Sequence, residues 1–327
     1  MMRFDLRHEL SPDVLECAAP QLANVLSGPT LFDLGKPGKD PLFVSVLLHG
    51  NETSGWEAVR KLFLRHPELT ASSSVLILVG NVLSAQKGVR KLDSQPDYNR
   101  VWNGGTTPEH KLAQDVVAYV GSKRPWCAID VHNNSGPNPH YSVITDLSPA
   151  TRSLASSFSS LAILAKQPPG TLTQAFSGFC TSIAIEAGIP TDPDSSERAS
   201  ELIRQLLSEG KLVEKSSESL EIFDNFIRVT VEPGATSEDR TFPKLNPELD
   251  TFNFKCLPAG SLVCSLNDHS LGIRANNVEL QDVTDHYFVI ENSEVRLRRD
   301  VIMSMYTRDP LIAIQDCICY FLKSIKT

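Results

Sequence analysis

Short apolar runs alternate with amphipathic segments through the first two thirds of the chain. Leu42 to Leu48 is apolar except for Ser45 and predicts a buried strand. After it Trp56, Val59, Leu62 and Phe63 recur at helical spacing until His66-Pro67 closes the segment. Ser74-Val-Leu-Ile-Leu-Val-Gly80 is a second apolar strand, so this stretch predicts a right-handed parallel strand, helix, strand unit. The alternation continues. Glu109 to Val120 reads as a helix with Leu112, Val116, Val117 and Val120 inward, Trp126 to Val131 as a strand, and Tyr141 to Ile144 as a short strand. Ser153 to Ala165 has a helical pattern, and Thr181 to Glu186 is apolar up to its last residue. A helix capped by Asp194 or Ser195 then aligns Ala199, Leu202, Ile203, Leu206 and Leu207. Ahead of all this, Ser11-Pro-Asp-Val-Leu starts an N-terminal helix and Pro29 to Leu34 a first strand.

Near residue 217 the pattern changes to period two. Ile227 to Glu232 alternates, Leu257 to Leu266 and His286 to Ile290 are further strands, and Pro310 to Lys323 reads as a terminal helix through Leu311, Ile314, Ile318 and Phe321. The expected organisation is therefore an α/β domain over 1–218 with an extra N-terminal helix, and a smaller β-rich domain over 219–327 ending in a helix.

Composition narrows the function classes. Lys and Arg number 31 against 39 Asp and Glu, a formal net charge of -8, which argues against a nucleic-acid or anionic-membrane surface. No apolar run approaches a membrane span, and Met1 to Ser27 carries Asp5, Glu9, Asp13 and Glu16 where a secretory signal has an apolar core. The 7 cysteines are odd in number and scattered, which predicts reduced thiols, no disulfide and a cytoplasmic location. Cys317 and Cys319, placed on the expected terminal helix, diverge around its axis and make a poor shared metal site. Gly35-Lys-Pro-Gly-Lys-Asp40 lacks the spacing of a phosphate-binding loop.

The chemistry lies where apolar strands end. His49 and Glu52 follow the first of them and His132 closes another; two His and one carboxylate form a known ligand set for catalytic zinc. A His-x-x-Glu triplet alone is weak, since a single His is more often a hydrogen-bonded structural residue. Polar groups that repeatedly terminate buried strands are harder to dismiss, because burying them costs several kcal/mol unless they are paired or bound to metal. Glu186 ends a third strand, where a carboxylate beside a metal can take a proton from water and pass it to a leaving group. Arg90, Asn99 and Arg100 lie in the polar loop expected to overhang the same edge, and an Arg fork there suits a carboxylate or a developing oxyanion.

His49-Gly-Asn-Glu52, Asn81-x-x-x-Ala85, Arg90, Asp97-Tyr-Asn-Arg100, Asp130-Val-His132 and Glu186-Ala-Gly188, in this order, resemble the succinylglutamate desuccinylase and aspartoacylase branch of the zinc carboxypeptidase-like hydrolases. The resemblance implies a carboxypeptidase-like α/β/α mixed sheet followed by a smaller C-terminal β-rich domain that partly covers the site. It implies one zinc per chain on His49, Glu52 and His132, and Glu186 as general base and acid. Arg90 would polarise the scissile carbonyl, with Lys87 and Lys91 as neighbouring cations able to take that place, and Asn99 with Arg100 would grip a substrate carboxylate. Two departures bear on the substrate. Phe176 stands where that branch has an Arg, and Glu291-Asn-Ser-Glu-Val295 stands near the place of a Tyr-Tyr pair, so the groups that would recognise a second carboxylate are absent or relocated.

The leading expectation is a zinc-dependent hydrolase of a small-molecule amide, releasing the acyl group of an N-acyl amino acid. A metallocarboxypeptidase acting on a short peptide or cell-wall fragment is the alternative within the same chemistry. A zinc-scaffold protein that binds a ligand without catalysis is the alternative from another class. Neither a nucleic-acid nor a membrane partner is expected, and the oligomeric state is left open, a homo-oligomer included.

Overall fold

The structure, a computed structural model, describes residues 3–213, 219–235, 241–267, 269–270 and 272–325. The predicted change of pattern near residue 217 lies outside the described residues. Two compact units form: Met1–Asn133 with His140–Glu221, and Asn134–Pro139 with Ile222–Thr327.

In the first unit the strands are β1 (Asp5–Arg7), β2 (Thr30–Asp33), β3 (Leu42–Val46), β4 (Val75–Val79), β5 (Cys127–His132), β6 (Tyr141–Ile144), β7 (Leu161–Leu164) and β8 (Thr181–Glu186). They lie in the order β1-β2-β4-β3-β5-β8-β6-β7. The central four, β4, β3, β5 and β8, run parallel, while β2 and β6 are antiparallel to the strands they flank. Val, Ile and Leu fill these strands because both faces are covered by helices. On one face the helix Ser54–Arg65 packs against the helix Pro193–Glu209, and Gly55 is seated on Val46 and Val131, where a Cβ would come within 3.0 Å of either side chain. On the other, Leu112, Val116 and Val120 of the helix Pro108–Ser122 join Phe43, Leu76, Leu78, Ala128 and Phe176 in one buried cluster. This is the mixed α/β sheet anticipated from the alternation of elements.

The second unit is β-rich. Its strands are β9 (Glu221–Val231), β10 (Lys244–Leu245), β11 (Cys256–Leu257), β12 (Leu262–Ser265), β13 (Ile273–Asn277), β14 (Phe288–Glu291), β15 (Glu294–Leu297), β16 (Val301–Ser304) and β17 (Cys319–Ile325). Strand β9 pairs with β13 and β17, β17 with β16 and β16 with β11, all antiparallel, and β10-β12-β15-β14 form a small separate sheet. Val229, Cys264, Ala275, Tyr306 and Ile318 are at its buried centre. Asn253 Nδ2 donates to the Pro137 carbonyl at 2.7 Å and Met305 N to Asn138 Oδ1 at 2.9 Å, which fastens the segment Asn134–Pro139 into this unit.

Several expected elements differ. The terminal helix is only Pro310–Gln315, capped by the Asp309 side chain, and the chain then becomes β17. The spacing of Leu311, Ile314, Ile318 and Phe321 suits a helix, but Cys319 to Leu322 are all buried, and pairing on both edges secures the strand. Cys317 and Cys319 are thus not on one helix; all seven cysteines are free thiols. Ser153 to Ala165 is divided between the helix Pro149–Ser156 and β7. The N-terminal helix is a short turn, Pro12–Glu16, followed by a 3-10 segment, and the long helix starts at Pro193 with Asp192 as its cap. Among the described residues no helix is long and apolar enough to cross a membrane.

Candidate metal centre

The site forms where β3, β5 and β8 end. After β3, Leu47 takes a left-handed backbone (φ 57), and its carbonyl accepts from Asn81 N at 2.6 Å, tying this exit to that of β4. The turn His49 to Glu52 is closed by Glu52 N donating to the His49 carbonyl. Gly50 is needed there for space and not for its backbone angle, since a Cβ would lie 2.2 Å from Ala85 N. Its own N–H donates to the Arg90 carbonyl at 3.1 Å, which fixes the base of the polar loop.

Three side chains converge. Nδ1 of His49 is 2.7 Å from Glu52 Oε1 and Nδ1 of His132 is 2.7 Å from Glu52 Oε2. The other ring nitrogens point outward to carboxylates: His49 Nε2 to Asp97 Oδ1 at 2.9 Å, His132 Nε2 to Asp130 Oδ2 at 2.7 Å. His49, Glu52 and His132 are buried, and one ligand atom from each lies within 4.8 Å of the others. Asn133, next in the chain, braces the group: its N–H donates to Glu52 Oε2, and its side chain bonds Ser54 and the Gly188 carbonyl beyond β8.

Arg90 enters from the loop, its Nε and Nη2 3.1 and 3.0 Å from Asp97 Oδ2 and its Nη1 3.5 Å from Glu52 Oε1. Lys87 is exposed on the helix Val82–Lys87. Asn99 is buried; its Oδ1 accepts from Leu172 N at 2.9 Å and its Nδ2 lies 3.2 Å from His132 Nε2. Arg100 Nη1 donates to the Asn99 carbonyl at 2.8 Å. Glu186 is the register partner of His132 on the neighbouring parallel strand, and its Oε2 is buried with no hydrogen-bond partner.

The electrostatics are those of a site built for a cation. Glu52, Asp97, Asp130 and Glu186 are four carboxylates in or beside the cluster; the Arg90 guanidinium contacts Glu52 and Asp97, and the charge of Arg100 also acts on Asp97. Burial lowers the affinity of each imidazole for a proton and Arg90 adds to this at His49, yet the carboxylates outweigh both. Glu52 and Asp97 raise His49, and Asp130 and Glu52 hold His132 well above its ordinary value. Burial pushes Glu52 up, but the two imidazoles more than reverse that and hold it well below the carboxylate range. Glu186 goes the other way: burial pushes it up to about 7, with Glu52 adding and the His132 charge opposing. The Nδ1 atoms and Glu52 oxygens that share protons here are also a donor set able to take a divalent cation in their place, since two imidazoles with a carboxylate are a zinc-type ligand set.

Asp97, Asp130 and Asn133 have roles that sequence reasoning did not assign. Asp130 had a local signal, since it lies two residues from His132 on a strand and so on the same face. Asp97 had none, as its partners are set by the fold of the loop. Phe176, at the position of the absent Arg, is fully buried and stacked on Phe43 with ring centroids 4.5 Å apart. Glu291 to Val295 is the β14–β15 hairpin, with Asn292 and Ser293 left-handed at its turn.

No family model and no curated protein matches the sequence. Solved structures do share its fold. The succinylglutamate desuccinylase of Chromobacterium violaceum superposes with a TM-score of 0.60 at 16% identity, over 93% of this chain and 90% of that one. Murine aminoacylase 3 gives 0.59 at 14% identity over 89% and 97%. The ectoine utilization protein EutE (DoeB) of Ruegeria pomeroyi, in a product-bound structure, gives 0.57 at 15% identity over 91% and 88%.

Proposed function

We propose that this chain is a zinc-dependent amidohydrolase that removes the acyl group from an N-acyl amino acid or a similar small amide. The observation that carries this is the convergence of His49 Nδ1, Glu52 and His132 Nδ1, each imidazole locked by a carboxylate on its far side, next to a buried Glu186. Proteins of the same fold include a desuccinylase and an aminoacylase, which supports amide deacylation as the reaction class. The seven free thiols fit a reducing compartment such as the cytoplasm.

His49, Glu52 and His132 would hold the ion, which when bound supplies a Lewis acid that makes water a competent nucleophile at neutral pH and polarises the carbonyl. Glu186 takes one proton from the attacking water as its oxygen bonds to the carbonyl carbon. It then delivers that proton to the amine nitrogen as the C–N bond breaks, a role worth about 10²- to 10⁴-fold in rate. A carboxyl pushed up by burial is suited to both halves of this exchange near neutral pH. Arg90 directs its guanidinium at the charge developing on the carbonyl oxygen, held in place by Asp97. Asn99 and Arg100, linked to each other through the Asn99 carbonyl, grip the substrate carboxylate.

The test is metal analysis after zinc-supplemented purification, followed by hydrolysis of a panel of N-acetyl and N-succinyl amino acids and short peptides, with and without a chelator. Stoichiometric zinc, lost in His49→Ala, and chelator-sensitive release of a free amino acid are expected. Substoichiometric zinc that His49→Ala leaves unchanged would sink the proposal, and cleavage of peptides alone would replace deacylation with carboxypeptidase action.

A further inference from the structure

Asp130 is a fully buried carboxylate of which only one oxygen is used. Its Oδ2 accepts from His132 Nε2, while Oδ1 is buried with no hydrogen-bond partner. A buried carboxylate oxygen without a partner forfeits its solvation and gains no hydrogen bond in return. The register partner of Asp130 across the β3–β5 ladder is Ser45, also fully buried, and its Oγ has no partner either. In-register residues of parallel strands project to the same face. The next residues along that level of the sheet are apolar, Leu78 beside Ser45 and Ala184 beside Asp130. Ser182 Oγ is another bare hydroxyl, but its register partner is Ala128, one side-chain step further from His132. Ser45 is also the one polar interruption in the run Leu42 to Leu48, placed where an apolar residue would bury more surface.

We infer that Ser45 is a positioning residue for the metal centre: its hydroxyl, through one bridging water, satisfies Asp130 Oδ1 and so fixes the carboxylate that holds His132. This rests on the reading of His132 as a metal ligand. The two atoms make no hydrogen bond to each other, and a water needs two or more polar partners to stay in a buried place, which these two supply. With both oxygens engaged, Asp130 keeps a single orientation, Oδ2 stays aimed at Nε2–H, and the ring presents Nδ1 at a fixed angle. With Oδ1 unsatisfied, the bond to Nε2–H is left to orient the carboxylate without support from its other oxygen.

Ser45→Thr and Ser45→Val test this, because they have the same shape and differ by the hydroxyl alone. Zinc affinity is read by competition with a chromophoric chelator. The proton resonance of His132 Nε2–H is read by NMR on histidine-labelled protein, with and without zinc. Ser45→Val is expected to bind zinc about tenfold more weakly than Ser45→Thr, the lower end of the effect of removing an outer partner of a ligand, and to shift the Nε2–H resonance upfield. Ser45→Thr keeps the wild-type values. Equal affinities and resonances in the two variants would overturn the role of Ser45 while leaving the zinc reading intact; a wild-type protein that takes up no zinc would overturn the zinc reading itself. Should the added methyl prevent folding in both, Ser45→Ala against wild type gives the same decision, with tenfold weaker zinc supporting the role and unchanged zinc ending it.

Discussion

Glu186 and His132 are register partners on adjacent parallel strands, so the proposed proton carrier and a proposed metal ligand leave the same edge of the sheet side by side. Neither depends on a flexible loop for its position. Rigid placement of this kind is what a general base needs, since a displacement of about 1 Å can cost a hundredfold in rate.

Replacing the carboxyl at this position should separate chemistry from metal binding. Glu186→Gln is expected to lower kcat by about 10²- to 10⁴-fold while zinc content stays at the wild-type level. Paired turnover and metal measurements on one preparation check this; activity retained in the variant would move the proton transfer to another residue.

The same carboxyl makes a pH-dependent contribution to stability in the metal-free protein. Burial raises its folded value to about 7 from 4.5, so above 4.5 the unfolded chain ionises more readily than the folded one. The group's favourable contribution is full below 4.5, declines as pH rises, and is gone above about 7. Urea unfolding of metal-free wild type and Glu186→Gln across this window should show the wild type losing ground steadily to the variant, and parallel curves would refute it.

Gly50→Ala should damage the site through the backbone. The new Cβ would stand 2.2 Å from both Ala85 N and Ser84 C, atoms of a helix that cannot yield as a side-chain tip does. A loss of about 3 kcal/mol in stability is expected, at the upper end for overpacking. Because His49 and Glu52 flank the residue, zinc affinity should fall as well; calorimetry and chelator competition measure the two effects.

Away from the candidate metal site, Asp33 accepts from Tyr119 Oη at 2.6 Å and pairs with Lys123 Nζ at 2.7 Å. Burial pushes its carboxyl up, but Lys123, Tyr119 and the Gly35 N–H outweigh that and hold it below its ordinary 3.8. Stability from this group is present above 3.8 and is lost as pH falls through the lower folded value. Asp33→Asn should cost about 1 kcal/mol at neutral pH, a modest figure because Lys123 is partly exposed and screened by solvent. The difference from wild type should shrink in acid, as denaturant titrations at two pH values would show.

The residues that converge in the candidate site were legible in the sequence for a physical reason: His132 and Glu186 close apolar strands and His49 and Glu52 follow another, where an unpaired polar group is costly. Of their carboxylate partners, Asp130 had a local signal two residues from His132 on one strand, and Asp97 had none. Asp97 reaches His49 from 48 residues away, and no local pattern encodes such a contact. Strands filled by Val, Ile and Leu were placed to within a residue or two, as at Thr181–Glu186. The end of the chain was misplaced because Leu311, Ile314, Ile318 and Phe321 keep helical spacing while Cys319 to Leu322 are claimed by two neighbouring strands, and pairing decides the outcome.

The excursion of Asn134–Pro139 into the β-rich unit means that the chain passes from one unit to the other three times, at 133/134, 139/140 and 221/222. No single cut can therefore release either unit whole. A chain ending at Glu221 would keep this segment but lose Asn253 and Met305, which bind Pro137 and Asn138. The two residues so deprived lie four and five positions beyond the Asn133 that braces Glu52. Truncation at the 221/222 boundary thus removes the partners of a segment that the shortened chain still carries.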